Sequence, residues 1–347
     1  MIDVLMLTKN DWANTGWRFS QCLESLGLEV LFFKANTHSF FYPQQGLLHP
    51  ALTKRCNESS IDTQGTAEKG DSLLYYVPEL KTFVENARVV HFRDSTLIDT
   101  GVDLTKKKVV VQHGGRTYRV AHETINTMFN EFADAALIQM PDLLNLGANN
   151  EHLIYYPVDT KRLQPKYKRN HEKLIIGHFP TAQINKGSVM IVQTLKKMYD
   201  DMPEFKEKFA YMGPEDFIKT RDWLLVWTEH LKRVAYCDVI IETIAMEVQN
   251  RPFGEWGNQA IEAAALGKIV ITNSQSTELY KKEYGPDCAL NIANNENELQ
   301  EQLVRILSMT DDEILKEKQR TRAWVEKYHS MEATAARLKE KIYKHLI

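Results

Sequence analysis

The chain has no apolar run approaching the roughly eighteen residues of a membrane span, no Cys-x-x-Cys pair, and no Gly-x-Gly-x-x-Gly turn after its first apolar stretch. Each absence removes a class of protein. Cys22, Cys56, Cys237 and Cys288 lie far apart, so neither a zinc ribbon nor a thioredoxin-like motif is signalled, and they read as reduced, mostly buried thiols. Thr8 to Gly16 holds a single glycine, not the three that let a pyrophosphate approach a dinucleotide-binding turn, which argues against a nicotinamide-dependent dehydrogenase. Basic excess is also missing: 43 Lys and Arg stand against 46 Asp and Glu, a net charge of −3, so no general field draws duplex nucleic acid. A local groove around Arg116, Arg119 and Lys106-Lys107-Lys108 is left open. Met1 to Leu7 carries Asp3, has no basic leader and runs into Thr8-Lys9-Asn10-Asp11, which is not a secretory signal. The expected location is cytoplasmic.

What is present is alternation. Short continuous apolar runs recur at Val4–Leu7, Val30–Phe33, Arg88–Phe92, Lys108–Gln112 and Ala136–Gln139, then at Leu174–Gly177, Phe209–Met212, Asp238–Ile241, Ile269–Thr272 and Ala289–Ile292, with helical patterns between them. Continuous rather than alternating apolarity indicates parallel sheets covered on both faces. At 347 residues the expectation is an α/β protein of two doubly wound, Rossmann-like domains. The first spans 1–157 and the second 158–325, with a final helix over 326–347 packing back on the first. The join lies between Tyr156-Pro157-Val158-Asp159 and Asn170-His171, and the basic run 161–169 reads as a solvated linker. Ser39 to Asp71 is long and polar, with no sustained period of either kind. Asp311 to Ile347 reads as helix broken near His329-Ser330, with Ser330 placed to cap the last helix.

The stretch RPFGEWGNQAIEAAALGKIVIT, residues 251–272, follows one apolar run and opens a helix at Asn258. In an open α/β sheet such strand-to-helix loops form the ligand site. Gly254 and Gly257 allow close approach of the backbone, and the first N–H groups of the helix favour a phosphate. Glu262, one turn deeper, is suited to accept two hydrogen bonds from a ribose diol. The competing reading is that Gly257 and Asn258 only cap the helix and Glu262 is solvated. A second phosphate candidate is Lys186-Gly187, at the start of a helix beginning near Ser188 in LIIGHFPTAQINKGSVMIVQTLKKM.

GHFPTAQINKGSV, followed some seventy residues later by CDVIIETIAMEVQNRPFGEWGNQAIEAAALGKIVIT, resembles the nucleotide-sugar domain of glycosyltransferases with the two-Rossmann GT-B fold. It is most similar to the family 4 retaining enzymes. The ending RAWVEKYHSMEATAARLKEKIYKHLI resembles their crossover helix, while the first half is similar only in NDWANTGWRF and VVVQHGGRTYR. The resemblance implies that Glu262 holds the donor ribose, that Lys186 and Gly187 contact the diphosphate, and that the loop Gly254-Glu255-Trp256-Gly257-Asn258 lines the donor. Residues near Gly16 would close over it, and His113 would face the transferred sugar across a cleft. Catalytic roles fall to Lys186, His113 and Glu262. The family's first glutamate, eight residues before the ribose glutamate, falls here on Gly254, with Glu255 one residue later. Gln183 stands where an arginine is common, leaving Arg116 or Arg251 as further phosphate or acceptor contacts.

The implied reaction moves a sugar from a nucleoside diphosphate to an acceptor hydroxyl with retention, in polysaccharide or glycoconjugate synthesis. Charge on the leaving diphosphate is the main quantity to stabilise. The Asp-x-Asp motif that holds a cation in the other main glycosyltransferase fold is absent from the chain, so no metal and no cofactor are expected. The acceptor is a glycan, a lipid-linked sugar or another hydroxyl compound, with peripheral membrane contact left open. Competing readings are a sugar-nucleotide 2-epimerase, a DNA-base glucosyltransferase of the viral kind, and a non-catalytic subunit that binds a nucleotide or glycan.

Overall fold

The computed structural model describes residues 1–37, 42, 46–58, 74–169, 171–214, 226–248, 251–253, 256–285 and 288–347, leaving out the side chains at positions 57, 58, 116 and 251. The chain divides into two compact units, Met1–Pro157 with Met331–Ile347, and Val158–Ser330.

In the first unit the elements run β1 (Ile2–Asn10), α1 (Thr15–Glu24), β2 (Val30–Asn36), β3 (Leu47–Leu48), α2 (Pro50–Glu58), β4 (Leu74–Tyr76), α3 (Lys81–Asn86), β5 (Ala87–Arg93), β6 (Leu97–Asp99), β7 (Lys108–His113), α4 (Gly115–Phe129), β8 (Ala135–Ile138) and β9 (Glu151–Leu153). Seven strands form a parallel sheet in the order β3-β2-β1-β5-β7-β8-β9. Its period of two sorts each apolar run onto two cores. Leu5, Leu7, Val90, Val111 and Ile138 enter one, while Val4, Met6, Val89, Val110 and Leu137 enter the other. Both faces are dry, which is why the runs are continuous. Ser39 to Asp71 lies partly outside the described residues, but its middle holds α2, anchored by buried Leu52 and Cys56. That helix has one buried turn only, too little to register as a period.

The second unit runs β10 (Leu174–Gly177), α5 (Ser188–Asp201), α6 (Pro203–Lys208), β11 (Phe209–Met212), α7 (Trp227–Tyr236), β12 (Val239–Ile241), β13 (Glu247–Val248), β14 (Arg251–Pro252), α8 (Asn258–Ala265), β15 (Ile269–Thr272), α9 (Thr277–Tyr284), β16 (Asn291–Ile292), α10 (Glu296–Ser308) and α11 (Asp311–His329). Five strands make a parallel sheet ordered β11-β10-β12-β15-β16. The backbone of the basic run 161–169 is docked rather than free. Arg322 of α11 donates to the carbonyls of Thr160 (2.7 Å), Leu163 (2.5 Å) and Ala265, and Lys166 N–H donates to Leu266 O at 3.2 Å. Its Lys161, Lys166 and Lys168 side chains remain exposed.

α11 opens on a capping box between Thr310 and Glu313 and continues unbroken to His329; the second unit ends at Ser330 and the first resumes at Met331. The final helix, α12 (Met331–Lys341), buries Thr334, Ala335 and Leu338 against the first unit's second core. Beyond it, Tyr343 OH lies 2.7 Å from Nδ1 of buried His91 on β5. Cys22, Cys56 and Cys237 are buried and Cys288 is half-buried, and among the described residues none is in a disulfide. Among the described residues no helix is long and apolar enough to cross a membrane.

Candidate functional site

In the second unit the chain leaves β10 outward to β11 and then returns past it to β12, so the strand order reverses between β10 and β12. Ligands bind outside the carboxyl ends of strands at such a reversal. After β10 a single 3-10 turn, Ile184–Lys186, presents Lys186, and Gly187 follows in the left-handed region (φ 67°, ψ 31°) to start α5. A side chain there would be strained by that φ and would meet Met190 Cε at 3.0 Å and Ala245 N at 3.2 Å. After β12 comes Glu242. Lys186 Nζ is ion-paired with Glu242 Oε1, the lysine side chain 16% exposed and the glutamate 2%. Gly257, the N-cap of α8, lies over the pair: a Cβ at this position would stand 3.0 Å from Glu242 Oε1 and 3.5 Å from Lys186 Nζ. The second carboxylate oxygen, Glu242 Oε2, is buried and has no hydrogen-bond partner among the described residues.

Three strand ends are tied together around this point. His178, directly after β10, is fully buried, with Nδ1 2.8 Å from Ile241 O and Nε2 2.8 Å from Ser188 Oγ. A carbonyl only accepts, so Nδ1 carries the proton and Nε2 receives the Ser188 hydroxyl. Burial pushes the imidazole pKa down to about 4, keeping it neutral. From the end of β15, Asn273 Nδ2 donates to Ala245 O (2.7 Å) and Gln275 Nε2 to Met246 O (2.8 Å), which pins the loop after Glu242.

The remaining residues expected in the second unit divide. Glu262 sits in the second turn of α8, only 3% exposed, and its Oε1 accepts the indole N–H of Trp227 at 3.0 Å. It is therefore not a solvated helix residue. His230 of α7 feels it too: burial lowers that imidazole's pKa and Glu262 partly offsets the fall. Asn258 is the first residue of α8, whose glycine N-cap brings no side chain to the helix N–H groups. Gln183 accepts Ser188 N–H (3.1 Å) and Lys186 N–H (3.2 Å) through its carbonyl, so its backbone shapes the turn that presents Lys186. Trp256 does not offer a face to a ligand. It is buried in edge-to-face contact with Tyr280 (5.2 Å) and Trp324 (6.1 Å), propping the loop from behind. Gly254, Glu255 and the side chains of Arg116 and Arg251 lie outside the described residues.

The two residues expected from the first unit are placed differently. The Gly16 and Trp17 N–H groups at the start of α1 donate to the Asp11 carboxylate, at 2.7 and 3.0 Å, and Asp11 is paired with buried Arg93 at 2.9 Å. A Cβ on Gly16 would fall 2.7 Å from Arg93 Cδ. Gly16 is thus a packing glycine, and an internal carboxylate already fills the helix N-terminus. His113 ends β7 as expected but is fully buried, its ring stacked on Tyr118 at 4.0 Å and 6°. Nδ1 meets Ser95 Oγ at 3.0 Å, and Nε2 is buried without a partner among the described residues. Burial holds its pKa down to about 3. Neither nitrogen faces solvent.

Glu242 is barely legible in the sequence. Its only signal is an acidic residue directly behind the apolar Val239–Ile241. The Asp11–Arg93–Asp94 network at the corresponding β1/β5 reversal leaves no sequence signal, because nothing in the spacing links positions 11 and 93.

No protein-family model and no curated protein sequence matches the chain. Solved structures do. Anabaena HepE in complex with UDP and glucose is 11% identical, with 99% of this chain and 100% of that chain covered at a TM-score of 0.57. A glycosyltransferase from Rickettsia africae is 13% identical, with coverage of 99% and 98% and a TM-score of 0.58. Sucrose-phosphate synthase from Thermosynechococcus elongatus is 14% identical, with coverage of 99% and 99% and a TM-score of 0.56. Two parallel, doubly wound sheets and these likenesses along nearly the whole chain give the protein the Rossmann-like two-domain fold of the GT-B glycosyltransferases.

Proposed function

We propose that the protein transfers a sugar from a nucleoside diphosphate to an acceptor hydroxyl. The observation that carries this reading is the meeting of Lys186, the left-handed Gly187 and the glycine-capped start of α8 at the β10/β12 reversal. An ammonium and helix N-termini at that place suit a diphosphate. The complexes of Anabaena HepE with UDP and UDP-glucose support the same ligand class. Stabilising the departing diphosphate is the protein's largest lever on the barrier, so Lys186 acts on the leaving group. The leaving phosphate oxygen then takes the acceptor's proton on the same face, giving retention without a dedicated base. With no Asp-x-Asp in the chain, the reaction proceeds without a metal. The acceptor is a glycan, a lipid-linked sugar or another hydroxyl compound, in polysaccharide or glycoconjugate synthesis.

Glu262, oriented by Trp227, is assigned to the ribose. Calorimetric titration in EDTA with UDP, GDP and ADP and their hexose conjugates tests the assignment. One nucleotide should bind, and Glu262→Ala should weaken it by one to two orders of magnitude, the equivalent of about 1.5–3 kcal/mol, with the fold intact. Absence of binding by every nucleotide to the folded wild-type protein would favour the non-catalytic subunit instead.

A further inference from the structure

The charge balance at the β10/β12 reversal is unusual for a phosphate site. A diphosphate carries more negative charge than one ammonium balances, yet Lys186 is already balanced by Glu242. The carboxylate occupies the lysine in the way a phosphate oxygen would. If Lys186 turned to a phosphate, Glu242 would be left 2% exposed with both oxygens bare, because Oε2 has no partner among the described residues to begin with. Stripping a buried carboxylate of its counter-ion is strongly unfavourable unless something donates hydrogen bonds to it. Phosphates at neutral pH bring acceptors. Hydroxyl groups bring donors, and a carboxylate takes them at both oxygens. The missing Cβ at Gly257 leaves space beside Oε1 that a side chain would fill at 3.0 Å.

Building on the donor site proposed above, we infer that Glu242 is a specificity determinant: Lys186 passes from Glu242 to the ligand's phosphate, and Glu242 then accepts hydrogen bonds from hydroxyls of the sugar attached to it. The site therefore discriminates in favour of the sugar-bearing diphosphate over the bare nucleoside diphosphate. After transfer the remaining nucleoside diphosphate lacks those hydroxyls, Glu242 reclaims Lys186, and product leaves. No bond is made or broken in the exchange; one ion pair replaces another.

The test compares bare and conjugated nucleotides (UDP and UDP-glucose, GDP and GDP-mannose, ADP and ADP-glucose) by calorimetry on the wild type and on Glu242→Gln, with melting curves as the fold control. Removing the charge frees Lys186, so the bare diphosphate should bind roughly tenfold or more tightly than to the wild type, with a smaller gain for the conjugate. The gain should vanish in the double variant Lys186→Gln/Glu242→Gln. A folded Glu242→Gln that binds the bare nucleotide no better than the wild type overturns the inference and leaves the donor site standing. Failure of the wild type to bind any of the six ligands overturns both. Should Glu242→Gln not fold, monodeoxy analogues of the conjugate that binds read the same contact on the wild type. At least one should lose roughly tenfold in affinity, and equal binding of all of them overturns the inference.

Discussion

Lys318 of α11 reaches the carboxylate of Asp238 at 2.5 Å, both side chains buried, while the other Asp238 oxygen accepts Ile175 N–H at 2.9 Å. This pair closes the amino end of the second sheet, opposite the ligand end. Replacing Lys318 removes the nearest cation from a buried carboxylate whose remaining basic neighbours are His171 Nε2 at 3.6 Å and the more distant Lys268, so Lys318→Met should cost about 1–3 kcal/mol in urea denaturation. A cost below about 1 kcal/mol would mean that water reaches Asp238 in the variant. Legibility at this scale follows the range of the interaction. Lys186-Gly187 and Gly257-Asn258 could be read because a lysine or glycine beside a helix start has a local meaning. Glu242 could not, since its partner lies fifty-six residues away. His113 is legible as the end of a strand, but its burial is not. What decides its role is the Tyr118 ring folded back over it from α4, which a strand pattern cannot express.

Among elements, strands made of a continuous apolar run are the most legible. β10, β11 and β15 coincide with the expected Leu174–Gly177, Phe209–Met212 and Ile269–Thr272; β10 and β15 are uninterrupted apolar runs because both faces are dry, while β11 at the sheet edge is fully buried only at Phe209. Two-residue strands such as β3, β13 and β14 leave no run at all, and tertiary pairing alone defines them. The last helix is legible as helix, and the structure buries its Ala335 and Leu338 while Ala336 is exposed. Leu338 packs in the core with Val4, Phe19 and Val89. Leu338→Ala should cost about 2–5 kcal/mol and speed amide exchange in β1 and β5 while β10 and β12 stay protected. Uniform deprotection of both sheets would refute the placement of α12 within the first unit's core.

For the molecule as a whole, acid stability is set by neutral buried histidines. Burial lowers His91 and His113 to about 3 and His178 to about 4, so between these values and the ordinary value near 6.5 the unfolded chain binds more protons. Their contribution is present in full above about pH 6.5 and is lost as pH falls toward 4. Asp94 acts oppositely: burial raises it to about 6, and its contribution is present below the ordinary value and lost as pH rises through 6. Three groups outweigh one, and the urea midpoint should fall between pH 7 and pH 5. A midpoint that rises over that interval would contradict the histidine assignment. The two-unit division has a further consequence, in the order of synthesis. The second unit is contiguous, whereas the first needs residues 331–347 to cover the face lined by Val4, Met6 and Phe19. At ~5–20 residues per second the ribosome takes on the order of 10–40 s to make the intervening unit and reach that helix. Through that interval the first unit to be translated is the last to be sealed, and its open apolar face is a natural client for chaperones.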